Sequence, residues 1–389
     1  MLLYDNLLET NMGNYGIRLP MSPARSEKIL RFLAERRGLA GASEGEDSLA
    51  GPPPGSFPLL SLAGAAERLG LDSPLLSRRD LERVHEREFV ARLYNDPGPG
   101  SLEGELLKTY ELINADGSYN RYEPHKALKP LEELFRTILY RVSGSYLACR
   151  LALEPNPPGA AGRPGPSRQG PYEGFCFYLG GGQHHGRYDR GSGFCLLNDI
   201  ILAARKIQEE GRASLIWIVD VDAHKGDGSA ELVKFSRDRG ETFAGKNPEI
   251  ITLSVHMASG WPLDSESLAG AEKGRAPLVE SDIDIPIAEG EEALYIPRLG
   301  EGLNLLEKRS GGRKPALVIV VDGVDVYEKD GLPSTRPLAL SKGQCLERDR
   351  LIFSFVRQFP SAWLMAGGYG EDAWEPTALF LHSLIMDKC

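Results

Sequence analysis

The sequence has little of what would mark a secreted, membrane-bound or nucleic-acid-binding chain. Its five cysteines (Cys149, Cys176, Cys195, Cys345 and Cys389) are odd in number, scattered, and never spaced as CxxC. That argues against a disulfide framework and a thiolate zinc cluster, and makes a reducing cytoplasm the default location. No apolar run reaches the ~18 residues of a membrane helix. The opening MLLYDNLLETNMG carries acids early and lacks the basic-then-apolar order of a signal peptide. Basic charge is also in deficit: 45 Lys and Arg stand against 55 Asp and Glu, a net charge of −10. A bulk nucleic-acid binder shows the opposite balance, so neither nucleic acid nor membrane is expected as a direct partner. The chain contains no internal repeat.

What is present fits a large globular core, with 389 residues, 41% of them hydrophobic and 26% charged. Residues 41–58, 95–101 and 154–174 are dense in Gly and Pro and read as loops. The first contains Gly41-Ala42-Ser43-Glu44-Gly45, a formal match to a hydrolase nucleophile pattern. No strand precedes it and no helix follows, so the match carries no chemistry. From residue 175 onward short apolar runs recur, at 175–179, 215–221, 250–255, 316–321 and 362–365. Continuous runs of this length fit strands buried on both faces. In 195–211 the residues Leu197, Ile200, Ile201, Ala204 and Ile207 follow helical spacing, with Gly211 placed to end the helix. The N-terminal third reads as mostly helical, for example 26–37 and 77–93, packed on the same sheet. The fold expected is α/β, a single domain over 1–389 with a central, mostly parallel sheet flanked by helices. Loop insertions fall near 41–58 and 154–174.

In open parallel sheets, ligands bind beyond the carboxyl ends of the strands. Here each strong strand candidate runs into unusual chemistry at that end. The first leads to Gly180-Gly181-Gly182-Gln183-His184-His185, the second to Asp220-Val221-Asp222-Ala223-His224. The others end at Ser254-Val255-His256, at Asp322-Gly323-Val324-Asp325, and at Gly367-Gly368-Tyr369. Asp222 and His224 alternate on a strand end and so face the same way. Joined by a distant carboxylate such as Asp325, they make a three-ligand N/O site of the kind that leaves a catalytic zinc an open position. A lone D-x-H is more simply a salt-bridged Asp beside a core histidine. The tandem histidines, the second carboxylate and the terminal GGY tip the reading toward a metal site. Asp220 and Asp227 are spare carboxylates, each able to hold one imidazole in a defined tautomer for acid–base work.

These blocks, GGGQHHGRYDRGSGFCLLND (180–199), DVDAHKGDG (220–228), LSVH (253–256), VDGVDVYEKDGL (321–332) and AGGYG (366–370), resemble the zinc-dependent histone deacetylase family of the arginase–deacetylase superfamily. DLERVHEREFVARL (80–93) resembles a family helix, and the overall style is closest to class IV deacetylases and bacterial histone deacetylase-like amidohydrolases. The resemblance implies one Zn2+ held by Asp222, His224 and Asp325. It implies His185 as general base and acid, His184 as its electrostatic neighbour, and Asp227 and Asp220 as their respective partners. Tyr369 would donate to the oxyanion. Gly193, Phe194, Trp261 and Leu332 would line the acyl-lysine tunnel. Backbone near Asp220, Asp222 and His224, with Ser254, resembles the family's structural K+ site, and Arg25 matches the arginine of its product-release cavity.

The sequence departs from the family pattern at Lys225, where a second histidine is usual, and at Trp261 in the tunnel wall. It has no clear rim aspartate, Asp96 being the nearest candidate. Gly226 stands where a two-metal ureohydrolase needs a carboxylate, which speaks against that branch. The activity implied is hydrolysis of the ε-amide of an acylated lysine in a peptide or protein. An acetylpolyamine hydrolase and a catalytically silent acyl-lysine-binding module are the alternatives. Acyl-chain length and the choice between Zn2+ and Fe2+ stay open. His85, His125, His256 and His382 belong to no constellation and read as structural.

Overall fold

Five apolar runs account for the middle of the molecule. The computed structural model describes residues 1–8, 10–19, 21–22, 24–36, 57–154, 174–241, 249–264 and 278–386. Within them lie β3 (Phe175–Tyr178), β4 (Leu215–Asp220), β5 (Glu249–Met257), β7 (Leu317–Asp322) and β8 (Ser361–Met365). All are almost wholly buried, because helices cover both faces of the sheet. Three further strands complete it: β1 (Leu2–Leu3), β2 (Leu59–Leu60) and β6 (Ile283–Ile287). The eight run in the order β2-β1-β3-β8-β7-β4-β5-β6, and every pairing is parallel. The α/β expectation therefore holds, with a sheet wholly rather than mostly parallel among the described residues.

Register fixes where the chemistry falls. One row across the sheet reads Tyr178, Leu364, Val321, Asp220, Ser254 and Asp284. The chain leaves every one of these strands at the same edge, and β3, β8, β7 and β4 are consecutive neighbours. The loops carrying His184, Tyr369, Asp325 and Asp222 are thereby gathered over the centre of the sheet.

Two helical expectations need correction. Residues 77–93 form two short helices, Arg78–Leu81 and Arg87–Leu93, rather than one. The break has a cause: the Glu86 N–H donates to Tyr188 O, and the buried His85 ring turns inward between Arg187 O and Asn198 N–H. The helix expected from Cys195 starts at Asp199, because Asn198 caps it through Ile201 N–H at 3.0 Å. It ends as read, with Gly211 at φ +67°. The pattern at Gly41–Gly45, the 154–174 insertion beyond Glu154 and Gly174, and Cys389 lie outside the described residues. The other four cysteines are free and buried. No described helix is long and apolar enough to cross a membrane.

Candidate active site

The tandem histidines are held by the start of the helix Asp199–Glu209. The Asp199 carboxylate accepts from Gly182 N–H (2.9 Å) and Gln183 N–H (2.6 Å), while Asn198 Nδ2 donates to His184 O and Gly186 O. Each ring then meets its own carboxylate. His184 Nδ1 lies 2.7 Å from Asp220 Oδ2, and His185 Nδ1 lies 2.7 Å from Asp227 Oδ1. Asp227 opens the helix Asp227–Asp238, where the helix dipole favours a negative charge, and its other oxygen binds Arg187. Arg187 also binds Glu231, so a buried chain of ionic contacts backs His185.

Environment drives the two histidines apart. Burial resists charging His184, but Asp220 and Asp222 outweigh it and raise the ring to about 9. Burial and the neighbouring His184 charge push His185 down to about 3, against the pull of Asp227. At neutral pH the first is a cation and the second a free base. Tyr369 is driven well above the usual phenol range by burial and by Asp325 and Asp222, so it stays a donor.

Asp222, His224 and Asp325 converge beside this pair, their ligand atoms all within 4.8 Å of one another. His224 Nδ1 is 3.0 Å from Asp325 Oδ2 and 3.3 Å from Asp222 Oδ1. Asp325 Oδ2 is buried and faces His224 Nδ1, with no well-aligned hydrogen bond among the described residues. A Cβ at Gly367 would come within 2.4 Å of Asp222 Oδ2, and one at Gly323 within 2.3 Å. Only glycine lets the β7 and β8 loops close round the carboxylates. Two buried carboxylates also raise His224 to about 10 against burial, a field that a divalent cation satisfies. The donor set fits a catalytic zinc. A Cβ at Gly226 would sit 2.3 Å from Asp220 Oδ2, so no second-metal carboxylate could stand there.

The expected wall residues lie close by. Trp261 packs edge-on to His185, ring centroids 4.4 Å apart, and to His224 at 5.7 Å. Gly193, at φ +52°, has room for no side chain: a Cβ would meet Trp261 Cη2 at 2.2 Å. The Phe194 ring centroid lies 6.5 Å from that of Tyr369 and 6.4 Å from that of Tyr110. Leu332 is buried beside the Tyr369 loop, since Gly331 N–H donates to Tyr369 O at 2.7 Å. Arg25 donates to Ala366 O and Gly367 O and lines a cavity of about 140 Å³ with Tyr110, Cys195 and Tyr369. Ser254 Oγ takes Gly226 N–H at 3.4 Å, and buried Lys225 binds Asp284. Asp96 is paired bidentately with Arg78.

The histone deacetylase domain model matches residues 19–381. The chain belongs to the histone deacetylase family. An uncharacterized protein of Picosynechococcus sp. is 30% identical over 64% of this chain and 67% of its own length. Histone deacetylase 2 of Arabidopsis thaliana is 27% identical over 79% of this chain and 65% of its own. The acetoin utilization protein AcuC of Bacillus subtilis is 30% identical over 50% and 46%. The chain thus spans between under half and about two thirds of these relatives.

Beyond the residues expected of a histone deacetylase domain, three others hold the site. Asp330 accepts from Tyr369 N–H (2.6 Å) and Leu332 N–H (2.8 Å), and burial with the Asp325 charge lifts it to about 7. Fully buried Arg348 donates to Val221 O and Gly323 O, bracing both ligand loops. Ser334 Oγ lies 3.4 Å from His224 Nε2. These act through backbone carbonyls, amide groups or a ring edge, which leave no spacing signature.

Proposed function

We propose that this chain is a zinc-dependent amidohydrolase that removes the acyl group from the ε-nitrogen of lysine, with residues 1–389 acting as one catalytic unit. The observation that carries the reading is the convergence of Asp222, His224 and Asp325 beside a neutral His185 whose Nδ1 is committed to Asp227. Asp222, His224 and Asp325 would hold the zinc, which when bound polarises the amide carbonyl and the attacking water. His185, with its Nδ1 proton fixed on Asp227, has Nε2 left to take the water proton and return it to the departing amine. Cationic His184 keeps His185 neutral until that transfer. Tyr369 gives a hydrogen bond to the carbonyl oxygen as it gains negative charge. Gly193, Phe194, Trp261 and Leu332 sheath the apolar lysine stem and keep water away from it. A K+ ion beside Ser254 is no part of this proposal. Buried, unpaired thiols suit a reducing cytoplasm.

The test incubates zinc-loaded protein with acetyl-lysine and longer acyl-lysine peptides and with acetylated polyamines. Acyl release from peptide is expected, abolished in Asp222→Ala. In Tyr369→Phe, kcat should fall by about 10²–10³ with zinc content unchanged. A zinc-bound protein that turns over none of these amides would sink the proposal.

A further inference from the structure

Tyr369 stands in the run Gly367-Gly368-Tyr369-Gly370, and its neighbours in sequence do nothing to fix it. Gly368 and Gly370 adopt φ of +151° and +92°, where a residue with a Cβ is rarely found. Glycines on both sides leave such a segment many backbone forms to choose from. Among the described residues no hydrogen bond holds the phenol itself; its ring has Phe194 as an aromatic neighbour. The place of the hydroxyl therefore depends on what grips the main chain.

Before the tyrosine, Gly367 N–H donates to Asp222 Oδ2 (2.9 Å) and Gly367 O takes Val324 N–H (2.7 Å). After it, Lys28 Nζ donates to Glu371 O (3.0 Å) and to the Glu371 carboxylate (2.6 Å). Tyr369 itself is gripped by one short stretch of chain. Its N–H donates to Asp330 Oδ2 at 2.6 Å, and its carbonyl takes Gly331 N–H at 2.7 Å. The other Asp330 oxygen takes Leu332 N–H at 2.8 Å, which fixes the plane of the carboxylate. A Cβ at Gly331 would come within 3.1 Å of Gly370 Cα, so the two segments meet backbone to backbone. Arg25 closes the opposite side, where a Cβ at Gly368 would meet its Nη1 at 2.5 Å.

Resting on the amidohydrolase reading, we infer that Asp330 is the positioning residue that sets Tyr369 for its hydrogen bond to the carbonyl oxygen. A carboxylate binds an N–H about twice as strongly as a neutral acceptor does, and this one grips the tyrosine itself rather than a neighbour. Its second oxygen is committed to Leu332, so one side chain ties the oxyanion donor to the wall beside it. Asp330 touches no reacting atom, and its effect passes through Tyr369. A donor misplaced by about 1 Å can cost on the order of a hundredfold in rate. The carbonyl oxygen gains most of its charge on the way to the transition state, so the loss falls on kcat and spares KM. A carboxylate that served the fold alone would act equally with or without the tyrosine hydroxyl.

The test is a double-mutant cycle on the zinc-loaded full chain, using the acyl-lysine peptide it turns over best. Asp330→Asn keeps the size but offers one acceptor oxygen in place of two and no charge; Asp330→Ala removes both acceptors. In each, kcat should fall about tenfold or more, with KM and the zinc dissociation constant held within about twofold. Added to Tyr369→Phe, either change should cost less than about twofold further. Amide hydrogen exchange across residues 366–371 should quicken in both single variants. Equal losses with and without the Tyr369 hydroxyl overturn the inference. So do undiminished rates in both variants, or a loss of zinc that accounts for the fall. Should Asp330→Ala not fold, Asp330→Asn decides alone by the same criteria. An active unaltered protein with additive losses removes this inference only. An unaltered protein that hydrolyses no amide removes the amidohydrolase reading, and this inference with it.

Discussion

A histidine can be buried for chemistry or for packing, and the partners of its nitrogens tell which. His184, His185 and His224 each face a carboxylate. His85 instead accepts from Asn198 N–H at Nε2 and gives its Nδ1 proton to Arg187 O, so it is held neutral, and burial lowers it from 6.5 to about 4. Above pH 6.5 both folded and unfolded chains leave it uncharged. Between 6.5 and 4 the unfolded chain binds a proton that the folded one refuses, so stability falls as pH falls through that window, by up to about 3 kcal/mol. Urea midpoints measured from pH 7 to 4 should show this acid slope, flattened in His85→Gln; equal slopes would refute it. At this scale the cluster of Asp222, His224 and Asp325 and the pairing of both histidines with carboxylates could be read from the sequence, because those residue types recur at strand ends. Asp330 and Arg348 could not, since what they hold is backbone.

Among the elements, the helix Leu134–Leu153 shows how packing reaches the site. A Cβ at Gly144 would come 2.2 Å from Tyr178 Cζ, in a fully buried ring that ends β3 six residues before His184. Gly144→Ala must push helix and strand apart. It should lower stability by about 1–3 kcal/mol, seen as a reduced thermal midpoint, and an unchanged midpoint would contradict this close approach. The five long apolar strands were visible in the sequence. β1 and β2, two residues each, carry no period, and β6 is an edge strand interrupted by Pro286. The break at residues 82–86 was hidden as well, because a distant Tyr188 carbonyl imposes it.

For the molecule as a whole, the proposed zinc site would link metal binding to folding through the paired carboxylates Asp222 and Asp325. Burial and the Asp222 charge raise the cost of ionising Asp325, and a divalent cation would relieve it. Because these side chains come from the β4 and β7 loops, only the folded chain presents them together. Free zinc a thousandfold above its dissociation constant should add about 4 kcal/mol of stability. Melting curves should therefore rise with zinc, return with a chelator, and stay flat in Asp325→Ala; a zinc-independent midpoint would exclude the shared site.

Sheet order was beyond what the sequence could tell, yet it sets a timetable for synthesis. β8 lies between β3 and β7, so before residues 361–365 leave the ribosome there are two half-sheets, β2-β1-β3 and β7-β4-β5-β6, with nothing between them. Each half has a bare, apolar strand edge of the kind that chaperones cover. His184 and His185 on one half cannot meet Asp222, His224 and Asp325 on the other until that strand slots in, so on the proposed reading a chain stopped before residue 361 should show no activity.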